Sequence, residues 1–131
     1  MLTARLPDLS DAEYWPLPSG GAHGMDINHD ANLLYVACDD GALVEVETRS
    51  GKVKQEWPLA GAPDATFFTP ASGLVHVAIA DPGLVQTIDP RTGAASEIAT
   101  AKGAKTTALI APDRLYVLSP SHGGVLELTG A

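Results

Sequence analysis

Turn residues that return every 40 to 42 positions, short apolar runs between them and no sustained helical period predict an all-β fold of four-stranded antiparallel propeller blades. Three units open on Gly21-Ala22-His23, Gly61-Ala62-Pro63 and Gly103-Ala104-Lys105. Matching runs follow in each: Leu34-Tyr35-Val36-Ala37, Val75-His76-Val77-Ala78 and Leu115-Tyr116-Val117-Leu118. Next come the turns Asp39-Asp40-Gly41, Asp81-Pro82-Gly83 and Ser121-His122-Gly123. The runs after them are Leu43-Val44-Glu45-Val46, Val85-Gln86-Thr87-Ile88 and Val125-Leu126-Glu127-Leu128. β-Branched or apolar runs bounded by Gly, Pro, Asp or Ser are strand and hairpin signals. A β-sandwich or closed barrel needs no fixed period, so the repeat argues against both.

Element by element, the first strand is placed over 13–17. Ser10-Asp11-Ala12-Glu13 has the form of a helix capping box, but Pro16 limits any helix to about one turn. Trp15-Pro16-Leu17 matches Trp57-Pro58-Leu59 at an offset of 42, which makes 13–17 an outer strand. The first full unit supplies strands over 24–28, 33–38, 42–47 and 52–58, with Arg49-Ser50-Gly51 turning the third into the fourth. The second supplies 65–69, 74–79, 84–88 and 94–99, with Arg91-Thr92-Gly93 at the same turn. The last gives 106–110, 115–119 and 124–128, for twelve strands in all.

With strands labelled a to d outward from the propeller axis, the order is d, abcd, abcd, abc. Residues 1–12 form an N-terminal extension and residues 13–131 a three-blade half-propeller. Propeller rings hold about four to eight blades, and an arc of three leaves apolar sheet faces exposed. Two arcs make six. The expectation is a homodimer about a two-fold axis on the propeller axis. In it, 13–17 of each chain pairs with 124–128 of the other. The alternative is a fragment of a longer propeller.

Composition narrows the partners. In 131 residues there are 16 Asp and Glu against 8 Lys and Arg, a net charge of −8. That balance speaks against nucleic acid, whose binders concentrate Lys and Arg. Apolar residues at 45% exclude a disordered chain. Cys38 is the single cysteine, so an intrachain disulfide and multi-cysteine metal sites are excluded. The N-terminus lacks the apolar stretch of a signal peptide. The longest charge-free run, Ala65 to Ala80, is broken by Pro70, Ser72 and Gly73 and is shorter than the ~20 residues of a membrane span. The expectation is a soluble, cytoplasmic protein with no membrane partner.

Two stretches carry a family resemblance. Leu34-Tyr35-Val36-Ala37-Cys38-Asp39-Asp40-Gly41 leads into Val44-Glu45-Val46-Glu47-Thr48-Arg49-Ser50-Gly51-Lys52-Val53. Val75-His76-Val77-Ala78 is continued by Thr87-Ile88-Asp89-Pro90-Arg91-Thr92-Gly93. Both resemble the repeat of the YVTN-type (YncE-like) β-propellers, over about residues 20–129. The resemblance implies the propeller fold. It implies little about activity, because members usually carry six or seven blades in one chain, about twice the content here. Relatives often show His-Thr at the third a strand, where this chain has Lys105-Thr106.

Residues just before the a strands sit at one mouth of the central channel. His23, Asp64 and Lys105 hold those positions and, doubled by symmetry, form a ring able to hold a small polar ligand or a metal. The plainer account of them is solvated loop residues with water between them. His76 shares a repeat column with Tyr35 and Tyr116 and is expected to be a packed core residue. His29 lies in the turn with Asp30 and Asn32, which could offer oxygens to Ca²⁺ but which an Asx turn explains without a metal. His122 is expected to be exposed, Cys38 to be a buried inert thiol, and Trp15 and Trp57 to pack on the rim. Glu45, Thr87 and Glu127 form a polar column that suggests a structural hydrogen-bond row rather than a carboxylate pair. Phosphate loops, nucleophile elbows and zinc spacings are absent, and no cofactor is implied. The expected function is a non-catalytic binding or scaffold module for a small ligand or a protein. The alternative is a metal-dependent hydrolase of lactonase type working at the channel mouth.

Overall fold

The computed structural model describes residues 1–5, 10–105, 107–111 and 114–129. Among them are thirteen strands and one short 3₁₀ turn at Pro120–His122. Sheet one is β3 (Ala22–Asn28), β4 (Leu33–Cys38), β5 (Ala42–Glu47) and β6 (Val53–Pro58). Sheet two is β7 (Pro63–Thr69), β8 (Leu74–Ile79), β9 (Leu84–Ile88) and β10 (Ala95–Ala99). Sheet three is β11 (Thr107–Ala111), β12 (Arg114–Ser119) and β13 (Gly124–Thr129). In each, strands pair antiparallel with their sequence neighbours, as the blade pattern predicts. β7 lies against β3 on one side and β11 on the other, so these three are the inner strands. Thr106 of the predicted third a strand lies outside the described residues.

Burial follows from stacking the sheets. β8 is buried at five of its six positions and β9 at all five, since sheet two has a neighbour on each face. One cluster joins sheets one and two through Tyr35, Ala37, Leu43, Trp57, Phe68, Val77, Ile79 and Ile88. Another joins sheets two and three through Val85, Ala104, Leu115 and Val117. Polar ties lock the first pair of sheets. The Phe68 N–H donates to the Asp26 carboxylate at 2.8 Å. Gln86 accepts from the Ala60 N–H at 2.8 Å and donates to the Pro58 carbonyl at 3.0 Å.

Sheet three differs. β12 and β13 alternate along their lengths, because among the described residues only one face has a neighbour. Leu115, Val117, Leu126 and Leu128 face sheet two. Tyr116, Leu118, Val125 and Glu127 pair across β12 and β13 on the other face. There Leu118 is 46% and Val125 62% exposed. Their repeat equivalents Ala37, Ala78, Leu43 and Val85 are all buried.

The N-terminal segment departs from expectation. The strand predicted over 13–17 ends at Tyr14: β2 (Ser10–Tyr14) pairs antiparallel with β1 (Leu2–Arg5) of the same chain. Residues 1–5, read in the sequence as part of an extension, supply the edge that β2 needs for its backbone groups. The same pairing displaces the capping-box conformation suggested by Ser10-Asp11-Ala12-Glu13. Beyond β2, Trp15 and Leu17 pack with Met1 on the outer face of sheet one, over Val36, Cys38, Val44 and Val46. Among the described residues, no helix is long and apolar enough to cross a membrane.

Candidate functional site

The three residues expected at the channel mouth lie at the starts of the inner strands. His23 is on β3, Asp64 on β7, and Lys105 two residues before β11. Gly24 lets β3 and β7 meet closely at this end. A Cβ there would stand 2.8 Å from Thr66 Oγ1 and 3.3 Å from the Asp64 carbonyl. His23 is half-exposed, with Nδ1 3.1 Å from Asp39 Oδ1. Asp64 is half-buried, and exposed Lys105 donates its N–H to the Leu118 carbonyl at 3.2 Å. This end therefore combines an imidazole, carboxylates and an ammonium on a backbone held by sheet pairing.

A cleft that sequence reasoning missed lies at the opposite ends of the strands. It encloses about 390 Å³ between sheets one and two and is lined by Asn28, Tyr35, Glu45, Phe68 and Arg91, among others. An adjoining depression of about 350 Å³ reaches Asp30 and Pro70. Tyr35 stacks on Phe68 with ring centroids 5.4 Å apart. Burial, then the Glu45 charge, push the Tyr35 hydroxyl up to about 12. Burial also raises Glu45 above the usual carboxylate range, against its hydrogen bond to Tyr35 and the charge of Lys54. The only sequence signal here was Glu45, a carboxylate inside a strand.

The polar column is a row of cross-strand pairs. Tyr35 faces Glu45, His76 faces Thr87 and Tyr116 faces Glu127 across the middle strands of the three sheets. His76 Nδ1 lies 2.9 Å from Thr87 Oγ1, and the Tyr116 hydroxyl donates to Glu127 at 3.1 Å. The row is one of hydrogen-bonded cross-strand pairs, the pattern the repeat suggested. His76 is buried, and desolvation holds its pKa below the usual histidine value. The unfolded chain therefore binds more protons here than the native one as pH falls below about 6.5. Stability is full above that pH and declines beneath it, levelling off below the depressed native pKa. Urea titrations between pH 7.5 and 5 should show this loss, and His76→Gln should flatten it. An unchanged slope in the variant would remove His76 as its source.

The remaining candidates fall into place singly. Cys38 is fully buried, and burial followed by the Glu56, Asp40 and Asp39 charges raises its thiol pKa, as suits an inert group. The Asx turn after β3 is made by Asn28, whose side chain accepts the Ala31 N–H at 3.1 Å; Asp30 is not the capping residue. His122 is exposed, with Nδ1 2.9 Å from Ser119 Oγ. Trp57 is buried between sheets one and two, and half-buried Trp15 donates its indole N–H to Glu13 at 3.2 Å. Among the described residues, no three His, Cys, Asp or Glu side chains gather as a metal site.

Stacked antiparallel sheets, two of four strands and one of three, with their first strands innermost define the chain as an arc of a β-propeller. Solved structures agree. The WD40 repeats of RRP9 match at a TM-score of 0.73 and 10% identity, over 99% of this chain and 44% of that one. Sqt1 of Saccharomyces cerevisiae matches at 0.70 and 13%, over 82% of this chain and 30% of that one. Hydrazine synthase of Kuenenia stuttgartiensis matches at 0.66 and 17%, over 87% of this chain and 37% of that one. This chain thus spans less than half the length of each. At these identities the likeness establishes the fold alone, and the fold serves an enzyme as well as repeat proteins. No protein-family model and no curated protein matches the chain.

Proposed function

We propose that this chain is a non-catalytic binding module, a YVTN-type half-propeller that closes to a six-bladed ring with a second copy. The channel mouth at His23, Asp64 and Lys105 would then take a small polar ligand or a protein segment. The observation that carries the reading is the uncovered face of sheet three. Leu118 and Val125 stand in solvent where the same repeat positions in the other sheets are buried under a neighbour. Apolar side chains spaced as for a buried blade face call for another blade. The acidic net charge of −8 favours polar or protein ligands over nucleic acid.

Light scattering tests the ring. The chain at 13.5 kDa should give about 27 kDa at high concentration, and a mass fixed at one chain both with and without residues 1–5 would overturn closure. Thermal-shift screening with small dicarboxylates, amines and inorganic phosphate tests the mouth. A stabilising compound should lose its effect in a His23→Ala/Lys105→Ala variant. Retention of the full effect would move the site elsewhere.

A further inference from the structure

We infer that β1 is a stand-in for a strand of the second copy, so that ring closure proceeds by exchanging β1 for that copy's β13. This deepens the dimeric reading above and rests on it.

β2 holds the place of an outer strand. Trp15 sits against Gly51 in the way that Trp57 sits near Gly93, one repeat on. A Cβ on Gly51 would lie 2.4 Å from the Trp15 ring, and one on Gly93 3.7 Å from Trp57 Nε1. The segment around Trp15 therefore holds the position toward sheet one that β6 holds toward sheet two.

In a strand of L-residues, chain direction and side-chain face together fix where the N–H points. Leu59, two residues past Trp57 and so pointing the same way, donates to the Gly41 carbonyl at 2.9 Å, toward β5. Trp15 donates its N–H to the Met1 carbonyl at 2.8 Å, and the Met1 nitrogen donates back at 2.9 Å. β1 thus occupies the side of β2 that β5 occupies beside β6.

Register sharpens the match. Leu43 of β5 opposes Trp57, and its repeat equivalent in sheet three is Val125. Met1 bonds across to Trp15 and packs on the cluster of Val36, Cys38, Val44 and Val46. Met1 fills the seat that Val125 of a second copy would take. Only one strand can hold that edge. Among the described residues β13 meanwhile borders β12 alone, with Val125 62% exposed.

Charge favours the internal pairing. Thr3 now faces Glu13. After exchange, Glu127 would oppose Glu13, by analogy with Glu45 opposite Gln55 in sheet one. Like charges directly opposite each other destabilise a sheet pair, so exchange must be driven by burial of Leu118 and Val125.

Light scattering over a concentration series decides the matter, on the full chain and on a variant lacking residues 1–5. A full-length Thr3→Pro variant, which loses a β1 N–H without shortening the chain, guards against misfolding of the deletion. Both changes should tighten dimerisation at least about tenfold, a shift of the size expected when a competing intramolecular partner is removed. Val125→Asp should abolish the dimer in every background. A dimer of the same affinity with and without β1 would overturn the exchange while leaving ring closure intact. Absence of any dimer, with or without β1, would end both.

Discussion

Leu43→Ala should lower stability by about 2–5 kcal/mol, the range for a fully buried leucine cut to alanine. Leu43 is 0% exposed and belongs to the cluster joining sheets one and two. It opposes Trp57, so the hole would open beneath an indole packed with Leu84 and Ile88 of β9. Collapse around it is hard, because β4 and β8 on either side are themselves packed against further side chains. That places the cost in the upper half of the range. Val125→Ala at the equivalent repeat position should change monomer stability by less than about 0.5 kcal/mol, since its side chain is in solvent. Urea denaturation of both variants at low protein concentration checks the pair. Equal costs would mean that the bare face of sheet three is covered in the isolated chain.

Gly51→Ala should be the more damaging of two matched glycine substitutions. Gly51 and Gly93 both hold left-handed turns, with φ of 68° and 76°, and each N–H closes the turn onto the carbonyl four residues back. A side chain at either position costs about 1–2 kcal/mol from backbone sterics alone. Gly51 carries a second penalty, because its new methyl would overlap the Trp15 ring while Gly93 leaves Trp57 room. Trp15 would have to leave sheet one and take part of the Met1 and Leu17 packing with it. The extra cost is about 1–2 kcal/mol of lost burial. Tryptophan emission in a Trp57→Phe background should shift to the red in Gly51→Ala and stay fixed in Gly93→Ala. Matching stabilities and spectra would show that Trp15 does not depend on the Gly51 surface.

The blade order was legible because each sheet is a run of consecutive hairpins. Turn residues and apolar runs inside one hairpin fix pairing locally, as in β4 to β5 or β8 to β9. The column of Tyr35, His76 and Tyr116 against Glu45, Thr87 and Glu127 was visible for the same reason. The ties between sheets were hidden. Asp26 and Gln86 read as ordinary polar strand residues, and only stacking brings them to the backbone of the next blade. The cleft at Asn28, Tyr35, Glu45 and Arg91 was hidden likewise, since its walls come from two sheets.

Residue pattern alone determined that this protein is built of propeller blades, how many strands each contributes and which faces are apolar, because those features follow from neighbours along the chain. Tertiary structure alone decided that β2 turns to β1, that Met1 and Trp15 cover sheet one, and that sheet three keeps a face open. Strand edges are chemically alike, so what fills one is settled by which backbone reaches it first in space and whose side chains fit the surface beneath.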